Sequence, residues 1–173
     1  MIAVENTTAE VNAPVATNDT HNLTRDFFLA GQALFTVSPS AEFVAKHGRS
    51  HYTYLIDRVD HAAVDDYPAR SSYYVRMLAG PDNTSDYLYL GMLLPSAGRI
   101  FTTRASRLPK DSLAFEILQR VLMRVWAGQG EAITAAGWKI QHCGRCGRCG
   151  RTLTRPESIE SGIGPECSRK LGV

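Results

Sequence analysis

The sequence predicts an α+β fold in which an antiparallel five-strand sheet is packed by one main helix and followed by a small C-terminal module. Three observations predict it. Five short runs rich in Tyr, Val, Ile, Leu and Thr are separated by turn formers, and one later segment repeats apolar residues at helical spacing. All four cysteines are confined to positions 143–167.

A chain of 173 residues suits one domain of ordinary size with a small appendage. Its 44% hydrophobic and 21% charged residues are ordinary for a globular protein. No apolar run approaches the roughly 20 residues that a bilayer span needs. The N-terminus has no basic start and no apolar stretch of the export type, so a cytoplasmic location is expected. Residues 1–24, rich in Ala, Thr, Asn and Val without a sustained period, are expected to form a flexible tail.

The strand-like runs cover 32–37, 51–59, 72–78, 87–93 and 99–103. Between the third and fourth, Gly80-Pro81-Asp82-Asn83 combines a fixed φ with side chains that form local turns, which predicts an antiparallel hairpin. Pro95 to Gly98 plays the same part before the fifth. The longer polar stretch 60–70, with Pro68 inside it, reads as a loop suited to a binding surface. Tyr87 and Tyr89 share one strand face and Leu88 and Leu90 the other, so a helix over the leucines would leave a tyrosine face exposed.

Leu113, Ile117, Leu118, Val121, Leu122 and Val125 follow the helical period, with Gln119, Arg120 and Arg124 opposite. Asp111 or Ser112 can cap its start, and Gly128 stands where the chain must leave it. The α+β domain is therefore expected over about 25–128. Residues 129–141 read as a linker with a short strand leading into the cysteines, and 142–173 as the module.

Clustered cysteines in a reducing compartment point to metal rather than disulfides. Cys146-Gly147-Arg148-Cys149-Gly150 sets two thiolates on one ion through a two-residue spacer, and glycine permits the turn this needs. Cys167, after Gly162-Ile163-Gly164-Pro165, is expected in the first turn of a short terminal helix, whose positive end favours a thiolate. Zinc is the expected ion. His142 and Cys143 compete for the fourth place, and the spacing alone leaves them level. A closed four-ligand site would be structural rather than catalytic.

The ordered elements CGRCGR-x-LT from Cys146, then Pro156-Glu157-Ser158-Ile159, then Gly162-Ile163-Gly164-Pro165-x-Cys167 resemble a C-terminal motif of uncharacterised proteins common in bacteriophage genomes. Segments around Phe35-Thr36-Val37, Tyr73 to Gly80 and Pro81 to Gly91 resemble the domain that precedes it, so the resemblance covers most of 32–168. It implies His142 with Cys146, Cys149 and Cys167 as ligands, and makes Cys143 the departure. No activity comes with it.

Charge is uneven: residues 1–98 hold six basic and eleven acidic side chains, whereas 139–173 hold seven basic and three acidic. Arg145, Arg148, Arg151 and Arg155 crowd the cysteines and suit phosphate recognition, so nucleic acid and a host protein are the two expected partners. An enzymatic alternative would rest on His51, Asp57 and His61, which match no known catalytic spacing. The expectation is a non-enzymatic zinc-binding protein of phage type that acts by binding a macromolecule.

Overall fold

The computed structural model describes His21 and residues 23–173. Most of the expected N-terminal tail lies outside these residues. Its described end is packed: the His21 backbone N–H donates to the Ile140 carbonyl at 2.9 Å, and Leu23 is buried.

Six strands form one antiparallel sheet: β1 Gln32–Ser38, β2 Tyr52–His61, β3 Arg70–Leu78, β4 Tyr87–Leu94, β5 Arg99–Phe101 and β6 Lys139–His142. Their order is β5-β4-β3-β2-β1-β6. The expected count of five is corrected by β6, the short strand placed with the linker. It adds to the free edge of β1 in the register Phe35↔His142 to Ser38↔Lys139 and so satisfies backbone groups that the edge would leave unpaired. The supposed 60–70 loop is also shorter than expected, because β2 and β3 run on as a hairpin capped by a Val64↔Tyr67 bridge.

The main helix is α3, Leu113–Trp126, behind the short helices α1 Arg25–Phe28 and α2 Ala41–His47. Ser112 is its N-cap, with Oγ accepting from the Phe115 N–H at 3.4 Å. Helix α3 lays Phe115, Ile117, Leu118, Val121 and Leu122 on the sheet face that carries Phe35, Tyr54, Ile56 and Val75. Burying one such side chain contributes about 1.5–3 kcal/mol. The Tyr54 hydroxyl donates to the Ala114 carbonyl at 2.8 Å, pinning the first turn of α3 to β2. At the far edge Gln119 accepts from the Ile100 N–H and donates to the Gly98 carbonyl, which fixes the β4–β5 turn against the helix.

"One main helix" understates the helical content. Besides α1 and α2, three short helices occur: α4 Gly130–Ala135, α5 Pro156–Ser161 and α6 Pro165–Leu171. Each is too short for a periodic signal and forms because tertiary packing holds it.

No described helix covers the second sheet face. Along the strands it carries Leu34, Leu55, Asp57, Tyr74, Arg76, Tyr87, Tyr89, Met92 and Phe101 by alternation, all partly or fully exposed. A bulge opposite Val75 and Arg76 resets the alternation of β4, so that Leu90 and Leu93 both stay buried while Tyr89 and Met92 face outward. Among the described residues no helix is long and apolar enough to cross a membrane.

Candidate metal centre

The turn that presents the first two thiols begins at Gly144, whose φ of +72° bends the chain away from β6. Arg145 and Thr152 then form a bridge, closed by hydrogen bonds from the Cys146 N–H to the Arg151 carbonyl at 2.8 Å and from the Gly150 N–H to the Cys146 carbonyl at 2.9 Å. Gly150, at φ +71°, lets the backbone double back so tightly that Cys146 and Cys149 face one point.

The third thiol comes from α6. Pro165 opens that helix, where a missing N–H costs nothing, and Cys167 sits in its first turn as the sequence predicts. The Sγ atoms of Cys146, Cys149 and Cys167 lie within 4.8 Å of one another. Cys146 and Cys167 are buried and Cys149 is exposed.

Burial pushes the Cys146 thiol up, but the N–H groups of Gly164, Cys149 and Arg148 outweigh it and hold the thiol below its ordinary value. Gly164 makes the closest of these contacts described, N to Sγ at 3.4 Å. Cys167 goes the other way: burial, then the hydrogen bonds and charges of Cys149 and Cys146, push its thiol up to about 11. Three sulfurs this close cannot all ionise without a cation between them. A divalent ion fits: metal–sulfur bonds of about 2.3 Å in a tetrahedron place sulfurs about 3.8 Å apart, inside the observed span.

Neither resident of the expected fourth place joins this group. His142 ends β6 facing the core, where its Nδ1 accepts from the Gly144 N–H at 2.9 Å and its Nε2 meets the Ile159 carbonyl at 2.5 Å. Both ring nitrogens are thus engaged by backbone groups. The ring's faces are also used, stacked on His21 at 4.1 Å and tilted on Phe27 at 5.9 Å. Cys143 is exposed and outside the three-thiol group.

The module is not tethered loosely. Ala30 of the main domain shares a small core with Cys146, Leu153, Ile163 and Cys167. The Gln32 N–H donates to the Gly147 carbonyl at 2.5 Å, and the Gly147 N–H to the Gly162 carbonyl at 2.9 Å. Phe27, fully buried, fills the space beside both glycines. Sequence reasoning missed Phe27, Ala30 and the Gly164 amide. The glycines of the Gly162-Ile163-Gly164 stretch were the available signal, since close approach is one of the reasons for glycine.

Of the arginines, Arg145, Arg151 and Arg155 are exposed, and Arg151 reaches Glu166 at 3.5 Å across the module's surface. Arg148 is half-buried, with its Nη1 enclosed and without a hydrogen-bond partner among the described residues. The residues of the enzymatic alternative are spread along β2. Asp57 lies mid-strand, 3.2 Å from Arg76, while His51 precedes the strand and His61 ends it against Ser72. An extended chain sets these positions roughly 13–20 Å apart, too far to share a proton. The sheet tyrosines divide by alternation: Tyr52, Tyr54 and Tyr73 are core residues, and Tyr74, Tyr87 and Tyr89 lie on the uncovered face.

Residues 141–172 match the model of a family of unknown function, DUF6011. The match coincides with the end of β6, the thiol-bearing turn and both helices of the module. Comparison with curated proteins gave no match, and neither did comparison with solved structures.

Proposed function

We propose that the chain is a non-enzymatic zinc-binding protein that acts by binding a macromolecular partner, with the metal as a structural staple. The convergence of the Cys146, Cys149 and Cys167 sulfurs within 4.8 Å carries this reading. A sulfur-rich donor set suits zinc. The described ligand group consists of thiols alone. What the ion would supply is fixation: it would tie α6 to the turn after β6, and through Gly147 and Ala30 to the main sheet. Its remaining position would be filled by a donor other than the His142 ring, which is engaged elsewhere.

Reducing conditions keep such thiols available, so the cytosol is the proposed setting. For a protein of the bacteriophage type that the motif resembles, this would be the cytosol of an infected bacterium.

Elemental analysis of purified protein tests the staple. About one zinc per chain is expected, lost in Cys146→Ser and in Cys167→Ser and kept in His142→Ala. A folded C-terminal segment in demonstrably metal-free protein overturns the reading.

A further inference from the structure

We infer that the sheet face left uncovered by the described residues is a binding surface for single-stranded nucleic acid, with Tyr74, Tyr89 and Phe101 as stacking platforms and Arg70 and Arg99 as backbone contacts. This deepens the reading of the chain as a partner-binding protein and does not depend on the metal.

Aromatic placement is the first observation. Tyr74, Met92 and Phe101 are consecutive partners across β3, β4 and β5, so they form one row over the sheet. Tyr89 stands beside Tyr74, with ring centroids 6.2 Å apart at 49°. Phe101 is 47% exposed although it belongs to a strand, and Leu94 on the same face is 45% exposed. Tyr74 and Tyr89 are half-buried, and with Phe101 and Leu94 they leave a patch of apolar surface of the kind that marks binding sites. A base offers a π-face to any ring, whatever its identity.

Charge selects the occupant. Residues 1–98 are acidic overall, but the described strands hold two of these acids: Asp60 lies on the other face by alternation, and Asp57, on this face, is answered by Arg76 at 3.2 Å. Arg70 and Arg99 point to the same side, are exposed, and have no ion pair among the described residues. The strands therefore place unpaired cations at the start of β3 and β5, beside the aromatic row. That pairing matches a polyanion with unstacked bases better than it matches a second copy of this chain, whose identical face would bring like charges together.

The test uses the full-length protein and 20-nucleotide single strands of mixed sequence, one DNA and one RNA, with binding followed by fluorescence anisotropy across a salt series. Binding of at least one strand is expected, and the stronger arm identifies the class. Phe101→Ala and Tyr74→Leu should each weaken it by about 5- to 150-fold. Arg99→Gln should lower the salt slope by about 0.7. Thermal unfolding and zinc content of the variants should be those of the wild type, so a failure of the metal reading would register separately. If Tyr74→Leu unfolds the chain, Phe101→Ala and Arg99→Gln at the sheet edge decide the matter. Absence of binding to both strands overturns the inference, as does binding unchanged in Phe101→Ala. A dimer in light scattering that Phe101→Ala dissociates overturns it too, because a second copy would then be the occupant.

Discussion

Phe27 packs against Gly147 so closely that a Cβ at Gly147 would fall 2.9 Å from two carbons of the ring. A Cβ at Gly162 would meet the same Cδ2 and Cε2 carbons, and its φ of +71° is a conformation that side chains resist. One phenylalanine from a four-residue helix thus sits between the thiol-bearing turn and the C-cap of α5.

Gly162→Ala should therefore destabilise the protein by about 2–4 kcal/mol, from left-handed strain and overpacking together. Phe27→Ala should cost about 3–5 kcal/mol for the lost burial. The double variant should cost less than the sum, because removing the ring removes the clash. Urea denaturation of the four proteins measures the coupling, and strict additivity would show that the two positions do not meet.

Tyr54→Phe removes the buried hydroxyl that bonds the Ala114 carbonyl, while leaving the ring in place. A loss of about 1 kcal/mol is expected. Burial also pushes the Tyr54 hydroxyl far above its ordinary value, so it stays protonated at pH 7 and at pH 9. Chemical denaturation at pH 7 and pH 9 should give the same difference.

Chelation should separate the module from the sheet. Hydrogen exchange after metal removal is expected to rise in α5 and α6, whose own cores are small, and to stay low in β2 and β3, which lie in the middle of the sheet. Protection of α6 unaltered by a strong chelator would contradict a stapling role.

His142→Ala leaves the Ile159 carbonyl and the Gly144 amide without their ring partner. A loss of about 1–3 kcal/mol in stability is expected, with metal content retained. Loss of the metal with the fold intact would instead make His142 a ligand.

Asp57 gives a pH signature. Burial pushes its carboxyl above the ordinary value, and the opposing pull of Arg76 does not cancel that. Such an acid binds its proton more tightly in the folded chain than in the unfolded one, so its contribution to stability falls as pH rises from about the unfolded value of 3.8 through the raised folded value. Asp57→Asn cannot titrate. Its melting temperature should therefore gain on that of the wild type as pH climbs through this window and keep a constant lead above it. A lead that shrinks with rising pH would reverse the sign of the shift.

Much of this architecture was legible in short windows of sequence. The period of two marks Gln32–Ser38, a run rich in Tyr and Leu marks Tyr87–Leu94, and the helical period marks Leu113–Trp126 down to its Ser112 cap. Two cysteines spaced for one metal and a third after Gly-Pro announce the thiol group before any fold is known. Strand β6 was seen as a strand but not as part of the sheet, because nothing within Lys139–His142 encodes which edge will receive it.

Local sequence sets the five strand runs, the main helix and the donor chemistry, since each depends on side chains a few residues apart. Three outcomes came from tertiary pairing instead: β6 closes onto β1, the His142 ring meets Gly144 and Ile159, and one sheet face is left without a helix among the described residues. These outcomes are set by pairings between distant segments, where competition for backbone partners and space, not local period, selects the winner. The thiol group itself belongs to both: its residues are local, but the surface that holds it is Phe27 and Ala30, more than 100 positions upstream.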